Sequence, residues 1–204
     1  MIDKKYVEKV IKSKPMPHSL EIGYKENHME ERINSVHQRC IELFNENEDA
    51  PKAFQRHLQQ ILPTIAYYED LLEYYGNQEE ALAFMDRYIL EEIKDMAKNF
   101  QRILKLPGLY KLIPSLFKIG VKMMFNEAAG FGMTELKEDG FCADMHICPY
   151  AKTCQKYNCF EIAHYFCDSD DISYGNMHSK LEWKRTKTIG RGNEICDFRL
   201  KVKK

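Results

Sequence analysis

The spacing of hydrophobic residues changes near residue 127, and this change constrains the fold more than any other feature of the sequence. Before it, apolar residues recur every three or four positions, the period of an amphipathic helix, as in Ile33, Val36, Cys40 and Leu43. After it, short segments alternate apolar and polar residues, which is the period of a strand. The sequence therefore predicts an α+β protein, with a helical region over residues 1–127 and a cysteine-rich antiparallel region over 128–204 that together form one domain.

Proline, glycine and asparagine mark the expected helix boundaries. We expect one helix after Pro51, another from Pro63 to Tyr75, and a third that Asn77 caps. The third helix would bury a stripe formed by Leu82, Met85, Ile89, Ile93, Met96, Phe100 and Ile103. The apolar stretch 109–125 is too often interrupted to span a bilayer, so we expect a buried helix there, with an interfacial helix as the alternative.

Two β-hairpins are predicted in the second half of the chain. Asp139-Gly140 joins strands over 131–137 and 141–148, and the segment 190–193 joins strands over 181–189 and 194–202. One or two short helices between about 149 and 168 separate the hairpins. The order is therefore ββ-α-ββ, and the sheet is antiparallel.

Six of the seven cysteines lie in the C-terminal part, at positions 142, 148, 154, 159, 167 and 196. No apolar run of the kind found in secretory signals follows the first residues, so we expect a soluble, cytoplasmic protein. Its thiols would then be free, reactive or metal-bound rather than paired. Cys40 belongs to a helical stripe and is expected to be a small core residue. The crowding of cysteines predicts that any chemistry lies in 142–198.

Ionisable groups share faces of the predicted elements. In the strand 141–148 the side opposite the apolar residues carries Cys142, Asp144, His146 and Cys148. That face could be functional or merely solvated. In the following helix His164 lies three residues before Cys167 and could orient or deprotonate its thiol. A partly exposed histidine beside a buried cysteine is the alternative.

No pair of cysteines has the C-x2-C spacing with which structural zinc sites usually begin, so we expect no metal and no cofactor. The alternative is a zinc site assembled from Cys142, His146, Cys148 and Cys167. Phosphate-binding glycine loops, the G-x-S-x-G elbow and H-E-x-x-H are all absent from the sequence. This excludes the commonest nucleotide-binding, serine hydrolase and metalloprotease functions.

The last predicted hairpin carries three further candidates. Cys196 shares a strand face with Phe198 and Leu200, so it points inward and either lines a pocket or fills core. Arg185 and Thr188, placed on the preceding strand, could hold a carboxylate because arginine offers a two-pronged donor. Exposure of both side chains to solvent is the competing interpretation.

Net charge limits the expected partners. A formal charge of −1 gives no reason to expect nucleic acid or an anionic membrane, and the basic excess of 180–204 is interpreted as a solvated hairpin and tail. We therefore expect neither nucleic acid nor a membrane as a partner. The sequence leaves the oligomeric state open.

Five short motifs follow one another in the C-terminal third: Cys148-Pro149-Tyr150, Cys159-x-Glu161, Phe166-Cys167-x-x-Asp170, Arg185-Thr186-x-Thr188 and Gly192-x3-Cys196-Asp197-Phe198. In this order they resemble the L-2-amino-thiazoline-4-carboxylic acid hydrolase family, over about residues 131–200. The resemblance implies a hydrolase that opens the thiazoline ring of a cyclic amidine and yields an N-carbamoyl amino acid.

That chemistry requires a nucleophile or an activated water, a proton donor, and a cation for the substrate carboxylate. We assign Cys167 as the first and Cys148 as the second candidate nucleophile. Asp170 or Glu161 would transfer protons, and Arg185 would bind the carboxylate. The expected substrate-binding set is completed by Thr188, Cys196, His146 and His164.

A second class of function remains open at this stage. Helices followed by an antiparallel sheet and a cysteine-rich end are also similar to small-molecule-binding domains of the 4-vinyl reductase type, some of which sense ligands or bind metal. A protein of that class would be a binding module rather than an enzyme.

Overall fold

The chain folds into helices followed by an antiparallel sheet. The computed structural model describes residues 2–203 and contains two compact units, one ending at Glu92 and one beginning at Ile93. The N-terminal unit is helical, and the C-terminal unit contains a four-stranded antiparallel sheet with further helices, which confirms the α+β class. Residue 127 lies where the helices give way to the strands, whereas the two compact units meet between Glu92 and Ile93. The predicted organisation into a single domain with two regions stays a prediction.

The N-terminal unit is built from helices with buried apolar faces: α1 (Lys4–Ser13), α2 (Pro15–Glu26), α3 (Ile33–Asn45), α4 (Lys52–Tyr75) and α5 (Gln78–Tyr88). The stripe predicted on α3 is confirmed, because Val36, Cys40 and Leu43 are buried. The predicted cap of α5 is confirmed as well, since Asn77 accepts a hydrogen bond of 2.9 Å from the N–H of Glu80.

Helix α4 continues through Pro63, where the sequence predicted a boundary between two helices. Proline has no N–H and costs about 3 kcal/mol in a helix interior. The helix nevertheless buries a long face that includes Leu58, Ile61 and Ile65. Each such side chain contributes about 1.5–3 kcal/mol when it leaves water, so the burial outweighs the cost of the proline.

The single helix predicted from Asn77 to residue 103 is instead two helices. Helix α5 ends at Tyr88, and α6 spans Glu91–Leu104. On α6 the buried residues include Ala97 and Leu104, whereas the predicted core residues Met96, Phe100 and Ile103 are 59%, 39% and 56% exposed. The predicted stripe is therefore wrong beyond Ile93.

The C-terminal unit contains most of α6 and, in chain order, α7 (Ile113–Met124), β1 (Gly132–Glu135), β2 (Phe141–Ile147), α8 (Pro149–Lys156), α9 (Ala163–Gly175), β3 (Leu181–Lys184) and β4 (Cys196–Val202). The strands lie in the order β1-β2-β4-β3, and all neighbours are antiparallel, which confirms the predicted ββ-α-ββ arrangement. Helix α9 runs past the expected end near residue 168, so Asp170 and Asp171 are helical.

The first predicted hairpin is confirmed, with β1 paired to β2. Its turn needs Gly140, which has a φ of +83° and whose absent Cβ would lie 2.4 Å from the carbonyl oxygen of Leu200. On β2 the predicted core face is buried from Phe141 to Met145, but Ile147 at its end is exposed.

The second hairpin has shorter strands than predicted. Strands β3 and β4 pair as expected, but β3 ends at Lys184 and residues 185–195 form a loop. The carboxylate of Asp197 explains the early end, because its Oδ1 accepts the backbone N–H groups of Thr186 (2.8 Å) and Lys187 (2.6 Å), which therefore do not bond to a strand. Arg185 and Thr188 are thus loop residues, and their predicted place on a strand is wrong.

Helix α7 is only partly buried, which corrects the expectation of a buried helix over 109–125. Ile113 packs in the core of the C-terminal unit with Phe141, Leu181 and Leu200. A row of apolar side chains on the same helix faces outward instead, as described below.

One buried acid in the N-terminal unit is held by hydrogen bonds. Glu21 lies 3.2 Å from Nε2 of His37 and accepts a bond of 2.7 Å from Lys25, while the hydroxyl of Tyr67 is 3.4 Å away. The hydrogen bond with His37 and then the interactions with Lys25 lower the pKa of Glu21 to about 2, although burial opposes them.

We expect Glu21→Gln to lower the free energy of unfolding at neutral pH by about 2–3 kcal/mol, since one pKa unit corresponds to about 1.4 kcal/mol. A lowered pKa contributes stability that is present above the unfolded value of 4.5 and is lost as the pH falls toward 2. The difference between wild type and variant in urea titrations should therefore shrink over that range. The exposed Glu26→Gln on the same helix is the control, and a difference independent of pH would contradict the assignment.

Candidate active site

An apolar cavity of about 130 Å³ lies in the C-terminal unit. Aromatic rings form much of its wall, with the ring of Phe117 5.1 Å from that of Phe141 and the ring of Tyr174 5.1 Å from that of Trp183. The wall comes from α7, the sheet and α9, through residues that include Phe117, Val121, Phe141, Met145, Tyr174, Trp183 and Phe198. An apolar cavity of about 150 Å³ is known to hold a benzene ring, so this one suits a single small ring.

Asp170 is the one charged side chain among the described residues that line this cavity. Its Oδ2 lies 3.0 Å from Nη1 of Arg185, and the side chain is 31% exposed. The apolar surroundings raise the pKa of Asp170 to about 6. Arg185 opposes this increase, and the neighbouring Asp171 adds to it. The carboxyl group can therefore gain or lose a proton near neutral pH.

Arg185 fixes the position of this carboxylate. Its side chain is only 1% exposed, and Nη2 donates to the carbonyl oxygen of Cys167 at 2.5 Å and pairs with Asp171 at 2.8 Å. The guanidinium also lies over the rings of Trp183 and Phe198, at 5.8 and 5.2 Å from their centroids. Burial opposes the charge and the two aspartates stabilise it, with the net result that its pKa is raised.

Two polar atoms beside Cys167 make no hydrogen bond of normal geometry: Nε of Arg185 and Oγ1 of Thr188, both of which are buried. The charge of Arg185 and the hydroxyl of Thr188 both favour the ionised form of the Cys167 thiol. A buried donor without a partner is costly. Neither Arg185 nor Thr188 is among the residues that line the apolar cavity.

Cys148, Cys167 and Cys196 lie close enough to influence one another's ionisation. Burial raises the pKa of Cys148 to about 12 and that of Cys167 to about 11, and it also raises the pKa of Cys196. Cys196 Sγ accepts a hydrogen bond of 3.1 Å from the N–H of Ile189. The thiols therefore form a cluster, but none of the three is among the residues that line the apolar cavity.

The remaining predicted residues lie elsewhere. His146 is exposed, with Nε2 3.2 Å from the hydroxyl of Thr134. His164 bonds through Nδ1 to Asp168 at 2.9 Å, and Asp168 also pairs with Arg191. The hydrogen bond with Cys159 and burial raise the pKa of Cys154, and the negative charge of Glu161 adds to this increase. The structure thus brings together Cys148, Cys167, Asp170, Arg185, Thr188 and Cys196, and leaves Glu161, His146 and His164 outside this group.

Sequence reasoning missed the aromatic wall and Asp171. Phe117 and Tyr174 belong to helices whose place in space no local pattern fixes. Trp183, the single tryptophan of the chain, was the one signal that could have drawn attention to the wall.

Within residues 2–203, no group of three or more His, Cys, Asp or Glu side chains has an arrangement that could hold a metal ion. Asp144, on the polar face of β2, pairs with Arg199 at 2.8 Å instead. Among the helices of the same residues, none has the length and apolar character that crossing a membrane requires.

The fold and this site define an α+β protein with a small apolar cavity and one titratable carboxylate, as in proteins that act on small molecules. The sequence model of the L-2-amino-thiazoline-4-carboxylic acid hydrolase family matches residues 55–200, and the chain belongs to that family. All residues of the cavity and of the thiol cluster lie within the match. Comparisons with curated proteins and with solved structures give no significant match. The family match favours the hydrolase over the binding module.

Gly190 allows the loop after β3 to pack on α9. A Cβ at this position would lie 2.8 Å from Sγ of Cys167 and 2.8 Å from the carbonyl oxygen of Ala163. We expect Gly190→Ala to lower the free energy of unfolding by about 1–3 kcal/mol, as other overpacked sites do. Gly175→Ala at the end of α9 is the control, because nothing lies within 4 Å of its new methyl group. Equal stability of the two variants in urea titrations would refute this packing.

Proposed function

We propose that this protein opens the ring of a cyclic amidine of the 2-amino-thiazoline type by hydrolysis, and that the reaction takes place at Asp170 in the apolar cavity. The observation that carries the proposal is a carboxyl group with a pKa of about 6 in an apolar cavity of single-ring size, held by a buried arginine. A group with a pKa close to the working pH is suited to transfer protons in both directions. Family membership supports the hydrolytic class of the reaction.

The reaction consumes one water. The water oxygen forms a bond to the amidine carbon C2, and one of its protons ends on the ring nitrogen. The C2–S bond then breaks, its electron pair stays on sulfur, and the second proton of the water ends there. The products are an N-carbamoyl group and a free thiol on one molecule. In our proposal the Asp170 carboxylate accepts a proton from the attacking water and returns it to the departing sulfur.

Water is the nucleophile that the site supports best. With pKa values of about 11 and 12, the thiols of Cys167 and Cys148 are protonated at neutral pH, and a thiol attacks only as its thiolate. Cys167 remains the second candidate, because the positive charge of Arg185 favours its thiolate. Because none of the three clustered thiols lines the cavity, this route would require the substrate to bind beside the thiol cluster instead.

Arg185 would act in two ways. It holds Asp170 at the cavity, where its positive charge would also attract the carboxylate of a substrate bound beside Asp170. The roles first assigned to Glu161, His146 and His164 rest on the sequence alone.

We also propose that the substrate is a free small molecule and that the protein works in the cytoplasm. The cavity has the size of a single ring, and all seven cysteines are unpaired, as is typical of a reducing compartment.

Asp170→Asn should lower kcat/KM for 2-aminothiazoline-4-carboxylate or a related cyclic amidine by about 10²–10⁴-fold, because the variant cannot accept a proton. Release of free thiol measures the reaction. In the wild type, kcat/KM should rise with pH to a plateau, with a midpoint near 6 rather than near 3.8, since Asp170 must be ionised to act as a base. Asp171→Asn is the control: it removes the other partner of Arg185 and should cost much less. Full activity of Asp170→Asn would reject the proposal.

Substitution of the thiols distinguishes between water and the Cys167 thiolate as the nucleophile. If water attacks, Cys167→Ser and Cys148→Ser should keep kcat within about tenfold of the wild type, since replacing a buried thiol by a hydroxyl costs stability but leaves the proton transfer intact. Mass spectrometry of the wild type during turnover should detect no adduct on Cys167. A covalent adduct there, lost together with activity in Cys167→Ser, would establish the thiolate route instead.

A further inference from the structure

Exposed hydrophobic side chains are concentrated in one part of the chain. Among residues 2–203, nine of the twelve large hydrophobic side chains that are exposed lie between Met96 and Met124. Single exposed hydrophobic residues are normal in proteins, but a concentrated group marks a surface that meets another apolar body.

Helix α7 carries the clearest part of this group. Leu112, just before the helix, is followed by Leu116, Ile119 and Met123 at intervals of four, three and four, so these side chains share one helical face. All four are 54–66% exposed. The cavity lies against the other side of the helix, which contributes Phe117, Gly120, Val121 and Met124 to the lining. The outward face is therefore not needed to close the core.

Helix α6 repeats the pattern. Met96, Phe100 and Ile103 follow one another at intervals of four and three and are exposed, while Ile93, Ala97 and Leu104 of the same helix are buried. Leu104 packs in the same core cluster as Ile113, the first residue of α7. The end of α6 and the start of α7 are thus joined by packing.

The charges of this segment have one sign. Residues 96–124 contain six lysines and arginines and no aspartate or glutamate. Lys118 and Lys122 are one turn apart and lie along one flank of the apolar face of α7, and Lys111 lies in the 3-10 turn just before the helix. Lys118 and Lys122 pair with Glu135, and Lys98 pairs with Asp95. Such exposed pairs are weak and are readily exchanged for other anions.

An apolar helical face bordered by lysines is characteristic of helices that lie in the interface of a membrane. A second copy of the chain fits less well, because a two-fold contact between α7 helices would bring together two segments that each carry six basic and no acidic residues, a charge that Glu135 offsets only in part. We propose that α6 and α7 bind the surface of an anionic lipid membrane, with the apolar faces at the acyl chains and the lysines at the headgroups. The net charge of −1 did not indicate such a surface, because the positive charge of residues 96–124 is cancelled by acidic residues elsewhere in the chain.

The test is cosedimentation of the full chain with vesicles of phosphatidylcholine alone or mixed with phosphatidylglycerol. We expect binding to the mixed vesicles, weaker binding at higher salt, and little binding to phosphatidylcholine alone. The double variant Leu116→Gln/Ile119→Gln should weaken binding about tenfold or more, since two exposed apolar side chains would lose contact with lipid. Tyr74→Gln/Val202→Gln, which changes two exposed hydrophobic residues outside the segment, should bind like the wild type.

A second pair of variants tests the electrostatic contribution of the lysines to vesicle binding. Lys111→Glu should weaken binding about tenfold, because it replaces an attraction by a repulsion. The same change at the exposed Lys5 of α1 should have little effect. No binding to the anionic vesicles, or equal binding by Leu116→Gln/Ile119→Gln and the wild type, would overturn the proposal. So would reversible dimerisation in sedimentation velocity that the same double variant abolishes, because the surface would then bind a second copy.

Discussion

The architecture of the C-terminal unit depends on the burial of one positive charge, the guanidinium of Arg185. Removing such a group from water costs several kcal/mol unless hydrogen bonds and opposite charges replace the water. Asp170, Asp171 and the carbonyl of Cys167, all on α9, supply them. Because Arg185 follows β3 directly, the same contacts hold α9 against the sheet. Asp170, the carboxylate proposed to carry the chemistry, is one of the partners of this charge and also lines the cavity.

Local signals explain the parts of the fold that the sequence predicted. Asp139-Gly140 encodes a turn, Asn77 encodes a helix cap, and the interval between Val36 and Cys40 encodes a buried helical face. Each depends on residues within a few positions of one another. The failures arose where distant contacts outweighed local preference. Pro63 lies inside a helix because that helix buries a long apolar face. Strand β3 ends at Lys184 because the carboxylate of Asp197, eleven residues after Thr186, accepts hydrogen bonds from backbone N–H groups of the loop.

The candidate site was predicted in part for the same reason. Short motifs identified Cys167, Asp170 and Arg185, which the fold does bring together. The spacing of the cysteines drew attention to thiols, yet their reactivity depends on burial, which no spacing reveals. The wall of the cavity, with Phe117 and Trp183 far apart in the chain, appears only when α7 meets the sheet.

The hydrogen bonds of Asp197 also limit which residues can replace it. The N–H groups of Thr186 and Lys187 both donate to Oδ1, whereas the hydroxyl of Thr186 donates to Oδ2 at 2.6 Å. An asparagine could offer its carbonyl oxygen to the two amides and its NH2 group to the hydroxyl, which accepts hydrogen bonds as well as donating them. A glutamate would carry its oxygens one methylene too far. The geometry of the bonds, rather than the charge, therefore makes asparagine the replacement that can keep this loop.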